Sequence, residues 1–214
     1  SDVLGYSVRR LCMDDPEGQL GLTHYTQPAL YVANAMHFYR AREQQEAADV
    51  LLGHSLGEYV ALLAAGCFDF ATGLRLVQRR GLLMSQAAEG AMAAVIGISA
   101  HSVQALLREN GLTTVSLANY NSPLQSVIAG DRPSILAAAK LFPSRDLVCM
   151  VLNVSGAFHS PLMLTAQLMF DSFSATSTFR DPPTPVIANV TARPYHTRPI
   201  ATPLPQQSPR PGAR

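Results

Sequence analysis

The feature that most constrains this chain is the run Gly53-His54-Ser55-Leu56-Gly57, placed between the apolar triplet Val50-Leu51-Leu52 and an Ala/Leu-rich stretch ending near Gly66. The order is buried strand, tight glycine turn, helix. A serine on such a turn is pushed out at the top of a sheet, and the flanking glycines permit close backbone approach. The helix that follows points unpaired N–H groups at the same place, so Leu56 N–H is poised to bind an oxyanion. Ser55 is therefore the candidate nucleophile.

Other elements follow from caps and periodicity. Thr26 to about Gln45 reads as a helix capped by Thr26, with Pro28 in its first turn and Ala29, Val32, Ala33 and Met36 on one face. A second helix, Phe70 to Ala88, carries Arg75, Arg79 and Arg80. The middle of the chain reads as a separate module. Its expected order is strand 92–98, helix 100–109 capped by Ser99 and stopped by Gly111, and strand 114–118. A turn through Asn119-Tyr120-Asn121-Ser122-Pro123 leads to strand 125–129, helix 132–142 capped by Asp131, and strand 147–152. That βαββαβ order is the ferredoxin-like arrangement. Pro161 then starts a helix reaching about Phe173, and 185–189 reads as a strand. The fold class expected is α/β: an α/β-hydrolase-like parallel-sheet subdomain with an inserted ferredoxin-like subdomain. The expected boundaries are 1–89 with 153–196 for the first and 90–152 for the second. Residues 197–214, rich in Pro and Arg, read as an irregular tail.

Composition narrows the classes of function. Of 214 residues, 48% are hydrophobic and 14% charged, enough apolar material for a real core. The net charge of +1, with both signs mixed along the chain, argues against a nucleic-acid or acidic-membrane partner. Cys12, Cys67 and Cys149 are far apart and odd in number, without metal-ligand spacing. They read as reduced thiols of a cytoplasmic protein, with no metal. No apolar run reaches the length of a membrane span.

A serine needs a base, since its hydroxyl is barely acidic at neutral pH. Of six histidines, His54 adjoins the nucleophile and is given a packing or hydrogen-bonding role. His24, His37, His101 and His196 have no distinguishing context and read as surface side chains. His159 stands just before a helix start, where the positive end of the dipole favours neutral imidazole, which makes it the preferred base.

Three segments occur in the order of a known family: Gly53-His54-Ser55-Leu56-Gly57-Glu58-Tyr59, Arg80-Gly81-Leu82-Leu83-Met84 and Gly156-Ala157-Phe158-His159-Ser160. Tyr25-Thr26-Gln27-Pro28-Ala29-Leu30 and Ala118-Asn119-Tyr120-Asn121-Ser122-Pro123 add to the likeness. Together, from about residue 24 to 195, they resemble the malonyl-CoA–acyl carrier protein transacylases and the acyltransferase domains of polyketide synthases.

The resemblance implies that Ser55 and His159 act as a catalytic dyad, with Leu56 at the oxyanion hole. It places Arg80, Phe158, His54, Met84, Gln27 and Asn119 around the substrate. Arg80 matches the family's arginine that pairs with the free carboxylate of malonyl, which a planar guanidinium binds through two parallel hydrogen bonds. Phe158, within Gly-Ala-Phe-His, and Leu56 resemble the malonyl-selecting form, discriminating against one methyl branch. The reaction implied moves malonyl from malonyl-CoA to the phosphopantetheine thiol of an acyl carrier protein, in fatty acid or polyketide synthesis, with no bound cofactor. Asp131, as an N-cap, and Asp146 are not expected to complete a triad.

Members of that family open with a strand and a Gly-Gln-Gly-type loop that supplies a second oxyanion donor, and close with a stretch carrying a glutamine near the histidine. Neither is legible here, so the expectation is a chain that keeps the pair with weakened activity. The competing expectations are an α/β-hydrolase esterase or thioesterase, which shares the turn motif, and an inactive domain that only binds carrier protein.

Overall fold

The computed structural model describes residues 2–44, 47–87, 89–142 and 147–195. The tail read over 197–214, His196 and Asp146 lie outside them. The described residues divide into two compact units, one built from 2–85 together with 167–195, the other from 86–166.

In the first unit, α1 (Val8–Met13), α2 (Thr23–Glu43), α3 (Gly57–Ala64) and α4 (Phe70–Ser85) carry most of the chain. Helix α2 starts three residues before the expected position. Thr26 is not its cap: its hydroxyl donates to the carbonyls of Leu20 and Leu22 at 2.6 and 3.0 Å. The buried face is also rotated from the one read from sequence. Ala29 is buried as expected, but Gln27, Pro28, Tyr31 and Ala35 join it, while Val32 is half-buried and Ala33 and Met36 are exposed, Met36 at 66%. Spacing by four selects Gln27, Tyr31 and Ala35 as one stripe, which the apolar pattern hid because Gln27 is polar.

Helix α4 packs along α2. A Cβ at Gly73 would sit 2.1 Å from the Tyr31 hydroxyl, so only glycine admits that ring. Asp69 caps α4, accepting from Thr72 N–H at 2.7 Å. Tyr31, Tyr59, Leu62, Leu76 and Val77 are fully buried and form the heart of this unit. The expected strand 50–52 contracts to one parallel bridge, Leu51 to Val186. Leu52 is 73% exposed and Val50 is exposed as well. The segment 185–189 likewise forms bridges rather than a continuous strand, with Ile187 paired to Pro194.

The second unit follows the sequence closely. Its elements are β1 (Ala91–Ile96), α5 (Ala100–Glu109), β2 (Ser116–Ser122), β3 (Gln125–Gly130), α6 (Arg132–Ala139) and β4 (Val148–Val151). The sheet is antiparallel in the order β2-β3-β1-β4, as a ferredoxin-like βαββαβ requires. Both caps are where the sequence puts them. Ser99 accepts from Ser102 N–H at 3.1 Å and Asp131 from Ser134 N–H at 2.9 Å. Side chains alternate across β1 as the pleat demands. Ala91, Ala93 and Val95 join Val103, Leu107, Ile128, Ile135 and Phe142 on the helix-covered face. Met92 lies on the other face with Val127, Ala129 and Ala157.

One expectation fails here. Asn119 through Ser122 belong to β2, not to a turn, and the reversal narrows to Pro123-Leu124. Two register shifts, at 117/119 and 120/122, let β2 run on through the polar residues. After the module, a 3₁₀ turn (Pro161–Met163) capped by Ser160 leads into α7 (Leu164–Ser174). There Phe170 packs edge-on against Tyr59, centroids 6.3 Å apart.

Candidate active site

The sharp bend read from sequence is present. Ser55 holds a left-handed φ of 50°, a conformation that non-glycine residues adopt only under external restraint. Gly53 makes the bend possible. A Cβ there would lie 2.0 Å from the carbonyl carbon of Gly57 and 2.5 Å from Glu58 N. Gly57, by contrast, has open space where its Cβ would be. The turn closes onto α3 through Gly57 N–H to His54 O at 2.9 Å and Glu58 N–H to Ser55 O at 3.2 Å. Leu56 N–H meets no acceptor among the described residues.

Arg80 delivers the charge. It projects from α4, is only 7% exposed, and donates from Nη2 to Ser55 Oγ at 3.1 Å. Its Nη1 donates to Gln27 Oε1 at 2.5 Å. Gln27 is itself fixed by Nε2 contacts to Thr23 Oγ1 at 2.9 Å and to Met84 Sδ at 3.3 Å. The guanidinium carbon stands 5.8 Å from the Tyr59 ring centroid. Burial pulls the guanidinium below its ordinary range, while Tyr59 and Glu58 pull it back. Burial pushes the Tyr59 hydroxyl well above its usual value, against the pull of Arg80. Arginine stays charged under such pressure, so the site carries a fixed, poorly hydrated cation beside a hydroxyl.

The sequence-predicted residues thus divide between the two units. The first brings together Ser55, Leu56, Arg80, Gln27 and Met84, with His54 exposed at the bend. The second contains His159, Phe158 and Asn119. His159 has a left-handed φ of 58° and is half-buried ahead of the Ser160-capped turn, whose Oγ accepts from Leu162 N–H at 3.3 Å. Phe158 packs against the group formed by Met92, Val127, Ala129 and Ala157. Asn119 pairs with Val127 in the sheet. His24, read as a surface side chain, is half-buried against Tyr25, and Arg79 is half-buried over the Phe173 ring at 5.8 Å.

Sequence reasoning missed Asn189. Its Oδ1 accepts from Ser55 N–H at 3.1 Å, and its Nδ2 donates to Gly53 O at 2.7 Å and Glu58 Oε2 at 2.8 Å. Its backbone N–H donates to Glu58 Oε1 at 3.2 Å, which also accepts from the Tyr195 hydroxyl. Glu58 is 1% exposed. No local pattern marks these partners, because Asn189 lies 134 residues from Ser55.

Residues 1–209 match the model of the acyl transferase domain family. The chain belongs to that family. The match is wider than the stretch from about 24 to 195 marked by the motifs. Among acyl transferase relatives, a polyketide-biosynthesis malonyl CoA-acyl carrier protein transacylase of Bacillus subtilis is 48% identical over 197 residues, covering 91% of this chain and 68% of the relative. The crystal structure of a malonyl CoA-acyl carrier protein transacylase from Burkholderia pseudomallei superposes with a TM-score of 0.94 at 50% identity, covering 97% of this chain and 73% of that one. Another similar structure is a malonyl-transacylase in complex with a type II polyketide synthase acyl carrier protein. It has a TM-score of 0.90 at 34% identity and covers 97% of this chain and 69% of that one. The α/β fold expected from sequence is the fold of these neighbours. Among the described residues, no helix is long and apolar enough to cross a membrane.

Proposed function

We propose that this acyl transferase domain moves a malonyl group from malonyl-CoA to the phosphopantetheine thiol of an acyl carrier protein, by way of an ester on Ser55. The observation that carries the reading is the buried guanidinium of Arg80 against the Ser55 hydroxyl. An esterase acting on neutral acyl groups has no use for a desolvated cation there. A transferase for an acyl group ending in a carboxylate does, because a charge-assisted pair orients the thioester over the nucleophile.

In the first half-reaction Ser55 Oγ attacks the thioester carbonyl while His159 takes its proton. Leu56 N–H stabilises the developing oxyanion. The C–S bond breaks, and the CoA sulfur leaves with the proton returned by His159. In the second half-reaction the carrier thiol gives its proton to His159 and attacks the Ser55 ester, and Ser55 regains the proton. Gln27, itself held by Met84 Sδ, fixes Arg80 from behind, and the family likeness assigns Phe158, His54 and Asn119 to substrate contacts. No resident cofactor or metal enters this scheme. Malonyl-CoA is substrate and phosphopantetheine belongs to the acceptor. Neither nucleic acid nor membrane is a partner. Three cysteines without disulfide partners fit a cytoplasmic setting, where acyl-CoA is available.

Intact-mass measurement after incubation with malonyl-CoA tests the reading. The expected result is one malonyl group added to the chain and none to the Ser55→Ala variant, with the adduct cleared by carrier protein. Rapid release of free malonate to water, without transfer to the carrier, would show an esterase instead.

A further inference from the structure

We infer that Asn189 is a positioning residue for the nucleophile: its side-chain amide, backed by Glu58 and Tyr195, locks the backbone of the bend so that Ser55 Oγ and Leu56 N–H face the reacting carbonyl. The inference rests on the reading of Ser55 as nucleophile. It adds residues that no motif marks.

The bend's own hydrogen bonds close its lower side, at Gly57 and Glu58. They leave Gly53 C=O and Ser55 N–H needing partners of opposite kind. A single primary amide supplies both, accepting through Oδ1 and donating through Nδ2. A carboxylate has no donor and an alkyl group has neither function. The second Nδ2 hydrogen goes to Glu58 Oε2, and the Asn189 backbone N–H to Glu58 Oε1. The Tyr195 hydroxyl adds a third donor to that carboxylate. Three donors thus satisfy the buried carboxylate, which grips Asn189 at both ends. The segment holding Asn189 is folded on itself by Ala188 N–H to Arg193 O and Tyr195 N–H to Val186 O, both 2.9 Å. It is tied to the chain before the bend by the Leu51–Val186 bridge. A left-handed Ser55 thus has a rigid external support, as strained positions require.

The test is the rate at which Ser55 is labelled by a fluorophosphonate, measured beside malonyl loading and thermal melting. In Asn189→Asp the shape is kept, but an oxygen faces Gly53 O and Glu58. Labelling and kcat are expected to fall about 10²-fold, as for a nucleophile displaced by about 1 Å, with KM for malonyl-CoA little changed. Adding Glu58→Gln should restore at least about tenfold of the loss, because the new Nε2–H donates to Asp at 189. If Asn189 only fills space, Asp at 189 will alter melting while the folded fraction labels at the wild-type rate, and the inference is overturned. Should Asn189→Asp fail to fold, Tyr195→Phe, which removes one donor, decides: slower labelling supports the clamp and an unchanged rate overturns it. A wild-type chain that takes the fluorophosphonate but not malonyl would refute the malonyl reading while leaving the clamp to be judged by the label.

Discussion

Arg80 and Ser55 are joined directly, the guanidinium Nη2 donating to the hydroxyl at 3.1 Å while Nη1 holds Gln27 Oε1. The two ends of one planar group thus reach the Ser55 hydroxyl and Gln27 together. A lysine ammonium on a flexible stem cannot span both in fixed geometry. Arg80→Lys is expected to lower kcat/KM for malonyl loading by about 10²-fold, with a smaller penalty for acetyl-CoA, which lacks the carboxylate. Steady-state comparison of the two thioesters checks this. Equal penalties would mean that Arg80 serves folding rather than the substrate.

The two glycines of the bend have different reasons for being there. Gly53 faces the backbone of Gly57 and Glu58 within 2.0–2.5 Å of where a Cβ would stand, and backbone cannot step aside. Gly53→Ala should abolish Ser55 labelling and lower the melting temperature sharply. Gly57 opens α3 and meets nothing. Gly57→Ala should be neutral or stabilise by roughly 0.5–1 kcal/mol, because alanine loses less entropy in a helix. Thermal melting of the two variants side by side gives the answer.

That contrast shows what a sequence exposes. Local devices were readable: the Ser55 bend, the Ser99 and Asp131 caps, and α5, whose ends fall at Ala100 and Glu109 as the cap and Gly111 dictate. Arg80 was legible only through the motif likeness, since a helical arginine otherwise reads as a solvated charge. The misses share one cause, which is that partners distant in sequence decided them. Leu51 pairs with Val186 and not with a run of neighbours, so an apolar triplet became a single bridge. Gln27 turns inward because Arg80 receives it. Asn189 looks like any strand-end asparagine until Gly53 and Ser55 are seen beside it.

Asp131 should prove dispensable for chemistry. Its carboxylate accepts from Ser134 N–H at 2.9 Å and from Thr114 Oγ1 at 2.7 Å, which holds it below the usual carboxylate range. A depressed pKa in the folded state means stability that is complete above the unfolded value, about 3.9, and lost as pH falls through the lower folded value. Asp131→Asn is therefore expected to load malonyl at the wild-type rate at pH 7. Its melting temperature should lie below wild type at neutral pH, with the difference shrinking as pH drops below about 4 and vanishing only below the lower folded value. Loss of loading by orders of magnitude would make Asp131 a member of a triad.

The cysteines give a chemical readout of the same core. Cys67 is buried at the end of α3, and burial pushes its thiol up to about 11. At pH 8 its thiolate fraction is then about 10⁻³, too small for appreciable reaction even apart from access. Half-buried Cys149 is shifted the same way by burial, and Cys12 is exposed. Ellman's reagent should titrate one thiol quickly in the native chain, that of Cys12, and three in denaturant. Fast native reaction in a Cys12→Ser/Cys149→Ser variant would show that the α3 end opens readily.

The proposed malonyl transfer gives Phe158 a role in acyl selection that can be tested. Its ring rests on Met92, Val127, Ala129 and Ala157, so its position is set by the second unit's sheet and not by solvent. A Cβ on Gly156 would stand 3.0 Å from Phe158 Cε1, so glycine at that position makes room for the ring. On the proposed reading this ring excludes a methyl branch on the acyl α-carbon. One methyl group is a small handle, about 1–3 kcal/mol, or roughly 10–200-fold in rate. Phe158→Ser should therefore reduce the preference for malonyl-CoA over methylmalonyl-CoA by about tenfold or more, chiefly by speeding the branched substrate. It should also lower the melting temperature, because the apolar group beneath loses its cover. Competition between the two thioesters, read as the masses of the adducts on Ser55, measures the ratio directly. An unchanged ratio with a lowered melting temperature would assign Phe158 to packing alone.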